Sequence, residues 1–155
     1  MADIDHLRYE LLHNPLGFHD ASELSKLWAS FNSESLRVDE LRSRLDKSRS
    51  SVMGVFTREQ MVGFICFGFL CTPLHSSATI EIWAVYVRPE LRGMGVGKNL
   101  IERMVQACYK NGWTQHFVTS SASSWRFYEK CGFRPIDSVR LHCLKEDVAA
   151  EESHW

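Results

Sequence analysis

The segment Val87-Arg-Pro-Glu-Leu-Arg-Gly-Met-Gly-Val-Gly-Lys98 constrains this chain more than any other. It places alternating glycines, Gly93, Gly95 and Gly97, between the end of a Val- and Ile-rich run and the start of an apolar-periodic one. Glycine lets a backbone turn sharply and approach a ligand closely. A helix that starts at such a turn presents amides with no intrahelical partner, and its dipole favours an anion, typically a phosphate. Arg88, Arg92 and Lys98 supply positive charge around that position. Spacing excludes two phosphate loops. Gly93 to Lys98 is one residue short of a P-loop and is followed by Asn99 rather than Ser or Thr. A dinucleotide fingerprint would put its third glycine at Lys98 or Leu100.

The rest of the chain reads as alternating elements. Leu7–Leu12 is predicted as a strand, ended by Pro15 and Gly17. A helix is predicted over 20–31, with Asp20 and Glu23 as a capping box and Leu24, Leu27, Trp28 and Phe31 on one face. A second helix over 36–47 carries Val38, Leu41 and Leu45 on one stripe, with Glu40 and Arg44 paired outside it. Ser51–Thr57 and Met61–Leu70 form a hairpin around Arg58–Gln60, although the second run is too continuously apolar to assign faces. Thr79–Val87 is a further strand. The helix after the glycines presents Leu100, Ile101, Met104, Val105 and Cys108 and stops at Gly112. Thr114–Thr119, Ala122–Cys131 and Ser138–Leu144 then read as strand, short helix and strand. This is an α+β chain, a mixed sheet with helices on its faces. Residues 1–145 are read as one domain and the acidic 146–155 as a flexible tail.

Composition excludes several classes of function. The 155 residues suffice for one stable core, and a formal net charge of −1 makes nucleic acid or an anionic membrane a poor bulk partner. No apolar run is long enough to span a bilayer, and Met1–Glu10 lacks the plan of a signal peptide, so a cytoplasmic home is expected. Cys66, Cys71, Cys108, Cys131 and Cys143 show neither CxxC nor zinc-site spacing and are read as small buried hydrophobes. The histidines form no ligand spacing, so no metal is implied.

Arg92, Gly95 and Gly97 make the pattern Arg-x-x-Gly-x-Gly, preceded by Val87-x-Pro89 and followed by Leu100. A second block, Ser121-Ala-Ser-Ser-Trp-Arg-Phe-Tyr-Glu-Lys-Cys-Gly-Phe133, ends in aromatic-Tyr-Glu-Lys-x-Gly-Phe. In this order, the two blocks resemble the coenzyme A loop and closing helix of GNAT-type N-acetyltransferases. The element order extends the resemblance over nearly the whole chain, although the first fifty residues carry no motif of their own. The resemblance implies a mostly antiparallel twisted sheet flanked by helices, in the order β-α-α-β-β-β-α-β-α-β. It implies acetyl-CoA as co-substrate and an amine as acceptor.

Carried over position by position, the resemblance has the main chain of Val85, Tyr86 and Val87 bonding the pantetheine arm. Arg92, Gly93, Met94, Gly95, Val96, Gly97 and Lys98 would surround the pyrophosphate. Ser121 stands where the family often has an Asn that holds the cofactor, and its shorter side chain puts that contact in question. Tyr128 matches the family's general acid, with an ordinary buried aromatic as the alternative. Glu81 matches the base of the histone-acetyltransferase branch, or else sits at the wet end of its strand. His116 competes with Glu81, since an imidazole with an ordinary pKa near 6.5 suits a base at neutral pH. Trp83 and Trp125 are candidates for the acceptor pocket or for the core. A non-catalytic acyl-CoA-binding module and a tRNA- or protein-modifying enzyme stand as alternatives, and a homodimer is left open. The acceptor itself is not readable from Ala29–Leu36 or Cys71–Ala78, where the family's substrate contacts fall.

Overall fold

The computed structural model describes residues 6–32, 35–69, 79–110, 115–119, 125–137 and 142–144. Their elements are β1 (Arg8–Leu11), α1 (Phe18–Asn32), α2 (Val38–Lys47), β2 (Ser50–Thr57), β3 (Gln60–Phe69), β4 (Thr79–Val87), α3 (Val96–Lys110), β5 (Gln115–Thr119), α4 (Trp125–Lys130), β6 (Arg134–Asp137) and β7 (His142–Leu144). A 3-10 turn, Pro89–Leu91, joins β4 to the glycine segment. The strands follow the order β1-β2-β3-β4-β5-β7-β6. The architecture is the expected α+β sheet with helices, and the structure adds one strand, β6. Its Pro135 argues against a strand in sequence terms, but β6 is the sheet's edge, where proline is tolerated. The ladder shifts between Pro135 and Asp137.

The chain divides into two compact units, Met1–Cys66 with Ala84–Leu100, and Phe67–Trp83 with Ile101–Trp155. In the first, α1 and α2 bury the predicted stripes. Leu24, Leu27, Trp28, Leu41 and Leu45 pack with Phe56, Met61, Phe64, Ala84 and Tyr86. Each Leu, Phe or Met among them contributes about 1.5–3 kcal/mol of burial. Trp28, Phe31, Phe64 and Tyr86 form a ring cluster with centroid separations of 5.5–6.2 Å. Every residue from Met61 to Phe67 is buried, which is why the apolar run of β3 has no polar face to read. Gly63 is required there, because a Cβ would come within 2.9 Å of the Tyr86 carbonyl.

Helix α1 starts earlier than the capping-box reading places it. The Ala21 amide donates to the Gly17 carbonyl at 3.0 Å, so Asp20 and Glu23 lie inside the first turns. Glu23 is buried instead of capping. Its carboxylate accepts the Met61 amide at 3.0 Å and the Lys26 ammonium at 2.6 Å, tying α1 to the start of β3.

In the second unit β4 and β5 run parallel, with Ile80 opposite His116, Glu81 opposite Phe117 and Ile82 opposite Val118. β7 pairs antiparallel with both β5 and β6. Helix α4 ends in a Schellman closure. The Gly132 amide donates to the Glu129 carbonyl at 3.0 Å, and the Phe133 amide donates to that of Tyr128 at 3.1 Å. Gly132 supplies the positive φ of 95° that such a stop needs, and the Tyr128 and Phe133 rings meet at 5.7 Å. The closing block Tyr-Glu-Lys-Cys-Gly-Phe is therefore first a helix stop that fixes Tyr128. The predicted residues 122–124 of this helix lie outside the described residues, as does the tail.

Candidate active site

The glycine segment is held at both ends before it can hold anything else. The Arg88 amide donates to the Val62 carbonyl at 2.9 Å, fixing the end of β4 to β3. Pro89 opens the 3-10 turn, whose bonds run from Leu91 N–H to Arg88 O (2.9 Å) and from Arg92 N–H to Pro89 O (3.2 Å). Leu91 and Val96 are buried and act as anchors on either side of the exposed Arg92–Gly95.

Between those anchors Gly93 and Gly95 adopt φ of 81° and 83°, the left-handed region that penalises any side chain with a Cβ. A Cβ at either glycine would meet no atom within 4 Å, so the chain's own packing does not demand glycine there. The backbone conformation and open surface do. The first bond of α3 is donated by Asn99 to the Gly95 carbonyl at 2.9 Å. The amides of Val96 and Gly97 precede it, at the positive end of the helix dipole. This arrangement fits a phosphate group held by main-chain donors.

Arg92 has a narrower role than simple charge. Its Nε donates to the Val87 carbonyl at 2.9 Å, and its guanidinium lies 5.3 Å over the Tyr86 ring. The side chain braces the loop against the strand that leads into it. Val85 is half-buried, and Tyr86 and Val87 are buried. The last rung between β4 and β5 is Ile82–Val118, and β4 runs on from there to Val87.

The proposed acid and base candidates lie in the second unit. Tyr128 is buried on α4, with ring contacts to Phe127 at 5.1 Å and to Phe133. Glu81 is half-buried on β4. Side chains alternate along the strand: Glu81, Trp83 and Val85 are all accessible, whereas Ile80, Ile82 and Ala84 are buried. Trp83 is 39 % exposed and so is not a core residue. His116 occupies the rung beside Ile80, so the two base candidates sit on consecutive rungs rather than at one position. Ser121 and Cys71–Ala78 lie outside the described residues. Among the described residues no group of His, Cys, Asp and Glu could hold a metal ion. No described helix is long and apolar enough to cross a membrane. Cys66, Cys108 and Cys131 are buried as expected, and burial raises the Cys66 thiol and pushes the Cys108 thiol up to about 12. Near the loop and the first helix, the sequence reading missed the inward turn of Glu23 and the state of Arg88, whose Nε is screened from water and meets no acceptor. Neither has a signal in residue spacing.

Comparison with known proteins places this fold among the acyltransferases. The acetyltransferase (GNAT) family profile matches residues 18–133, and the chain belongs to that family. No curated protein matches the sequence. Among solved structures, an acetyltransferase of Trypanosoma brucei is 25% identical with a TM-score of 0.69, covering 84% of this chain and 94% of its own. A ribosomal-protein-alanine N-acetyltransferase of Brucella melitensis is similar at 23% identity and TM-score 0.69, covering 85% and 95%. The PaiA N-acetyltransferase of Thermoplasma acidophilum, solved in complex with coenzyme A, matches at 17% identity and TM-score 0.66, covering 90% and 99%.

Proposed function

We propose that this protein transfers the acetyl group of acetyl-CoA to a primary amine of a small molecule or protein, by direct attack within a ternary complex. The observation that carries the reading is the open glycine loop, with its two left-handed glycines set between a braced strand end and the start of α3. Acetyl-CoA supplies the activated acyl carbon and the thiolate leaving group. Amides from Gly93 to Lys98 hold its pyrophosphate, and main-chain groups of Val85–Val87 align its pantetheine arm.

Glu81 takes the proton that the amine must lose before its nitrogen can bond the acyl carbon. The half-buried position of Glu81, beside exposed Trp83, leaves room for a direct transfer or one through a water. As the C–S bond breaks, the Tyr128 hydroxyl donates a proton to the sulfur. The Schellman stop and the Phe127 and Phe133 rings set the orientation of that side chain. Buried cysteine thiols fit a reducing, cytoplasmic setting. The test is release of coenzyme A thiol from acetyl-CoA across a panel of polyamines, amino acids, aminoglycosides and peptide N-termini. Amine-dependent release supports transfer; tight acetyl-CoA binding with no release from any acceptor would leave a binding module instead.

A further inference from the structure

We infer that Arg88 is a phosphate ligand of the coenzyme, a contact made by a side chain in addition to the amides of the glycine loop. The inference rests on the proposed acetyl-CoA site. Arg88 stands where the strand gives way to the loop, and its main chain is fixed on both sides. Its amide donates to Val62 and its carbonyl accepts from Leu91, each at 2.9 Å. The side chain is different. Nε is shielded from solvent and no acceptor reaches it. Other arginines of the same unit have partners: Arg8 on Glu10 and on the Arg58 carbonyl, Arg37 on Glu40, Arg92 on the Val87 carbonyl. A guanidinium cannot shed its proton to escape this situation. A buried donor without an acceptor calls for a ligand that completes it.

Position selects the ligand. The 3-10 turn returns Arg92 to the Pro89 carbonyl, so the loop leaves from one turn beyond Arg88. An anion held on the amides that follow Gly93 and Gly95 would thus sit only a few residues along the chain from Arg88, whose buried Nε lacks an acceptor. Its planar fork matches a phosphate, to which it can donate two parallel bonds. An acceptor's carboxylate is the competing anion, but the proposed chemistry at Glu81 lies toward the other end of β4. The coenzyme offers phosphate at its pyrophosphate and at its ribose 3′ position, and Arg88 can serve either.

Calorimetry with coenzyme A and with 3′-dephospho-coenzyme A, on wild type, Arg88→Gln and Arg88→Lys, tests the inference. Arg88→Gln should weaken coenzyme A binding by about tenfold to a hundredfold, as for a charge-assisted bond, and Arg88→Lys by less. Loss of the wild-type preference for coenzyme A over its dephospho form assigns the contact to the 3′-phosphate. Equal weakening toward both assigns it to the pyrophosphate. Without ligand, Arg88→Gln should unfold near the wild-type midpoint, because Nε gives up no hydrogen bond and a buried unpaired donor is removed. Wild-type affinity for both ligands, or a lowered midpoint without ligand, would overturn the inference by making Arg88 inert or structural. Failure of the wild type itself to bind coenzyme A would overturn the site as a whole, and is thereby distinguished.

Discussion

Replacing Glu23 by Ala deletes the acceptor of a wholly buried residue's amide. Met61 is 0% exposed, and its N–H has the Glu23 carboxylate at 3.0 Å as its partner. Leaving such a donor unsatisfied costs about 1–3 kcal/mol. The Lys26 half of the arrangement adds little, since that side chain is 65% exposed and exposed pairs contribute about 0–1 kcal/mol. For a domain of this size each kcal/mol moves the midpoint by roughly 2–4 °C, so Glu23→Ala should lower it by about 2–12 °C. Glu23→Gln keeps an acceptor oxygen and should lose less. Burial pushes the Glu23 carboxyl up, but the bonds from Lys26 and Met61, with the charges of Lys26 and His19, outweigh it and hold it below its ordinary 4.5. A pKa lower in the folded than in the unfolded state gives stability that is present above the unfolded value. That stability is lost as pH falls through the folded value. Denaturant unfolding followed by circular dichroism, from neutral pH down through the acid range, should therefore show the wild-type advantage over Glu23→Gln shrinking. A Glu23→Ala protein as stable as wild type, or an advantage over Glu23→Gln that ignores pH, would refute the reasoning.

Tyr128→Phe should slow turnover by roughly tenfold to ten-thousandfold, the span of acid–base assistance, with acetyl-CoA affinity nearly unchanged; an unchanged rate, with chemistry shown to be limiting, would return Tyr128 to a packing role. Glu81→Gln should depress turnover and move or remove the acidic limb of the rate–pH profile, whereas His116→Ala should do less. The opposite pattern would make His116 the base.

The turn between β4 and α3 was legible in the sequence because alternating glycines mark a backbone that leaves the right-handed region, and its surroundings were legible through hydrophobic period. The stripes of α1, α2 and α3 are buried as their spacing predicts. What escaped depends on tertiary contact. Residues Asp20 and Glu23 satisfy a capping pattern, yet burial against Met61 turns Glu23 inward. Proline hid β6 because nothing local reveals which strand will be an edge. In sequence Arg92 belongs to the glycine pattern and Arg88 only flanks it, which says nothing of what either side chain bonds. Only the 3-10 turn between them decides that Arg92 folds back onto Val87 while the Nε of Arg88 meets no acceptor. The parallel register of β4 and β5, which separates Glu81 from His116 by a rung, is likewise absent from either strand alone.

Acetyl-CoA binding at the loop is tested most directly by calorimetry on wild type and Gly97→Glu. Gly97 is the second residue of α3, and its φ is not among the positive ones, so a side chain there is conformationally accepted. A carboxylate in a first helical turn is also favoured by the dipole, so the variant should fold as well as wild type. Placed against the phosphates, the same carboxylate should lower affinity by about tenfold or more through like charge and bulk. Tight binding by wild type, with that loss in a Gly97→Glu protein of unchanged unfolding midpoint, is the predicted result. Equal affinities in the two folded proteins would contradict it.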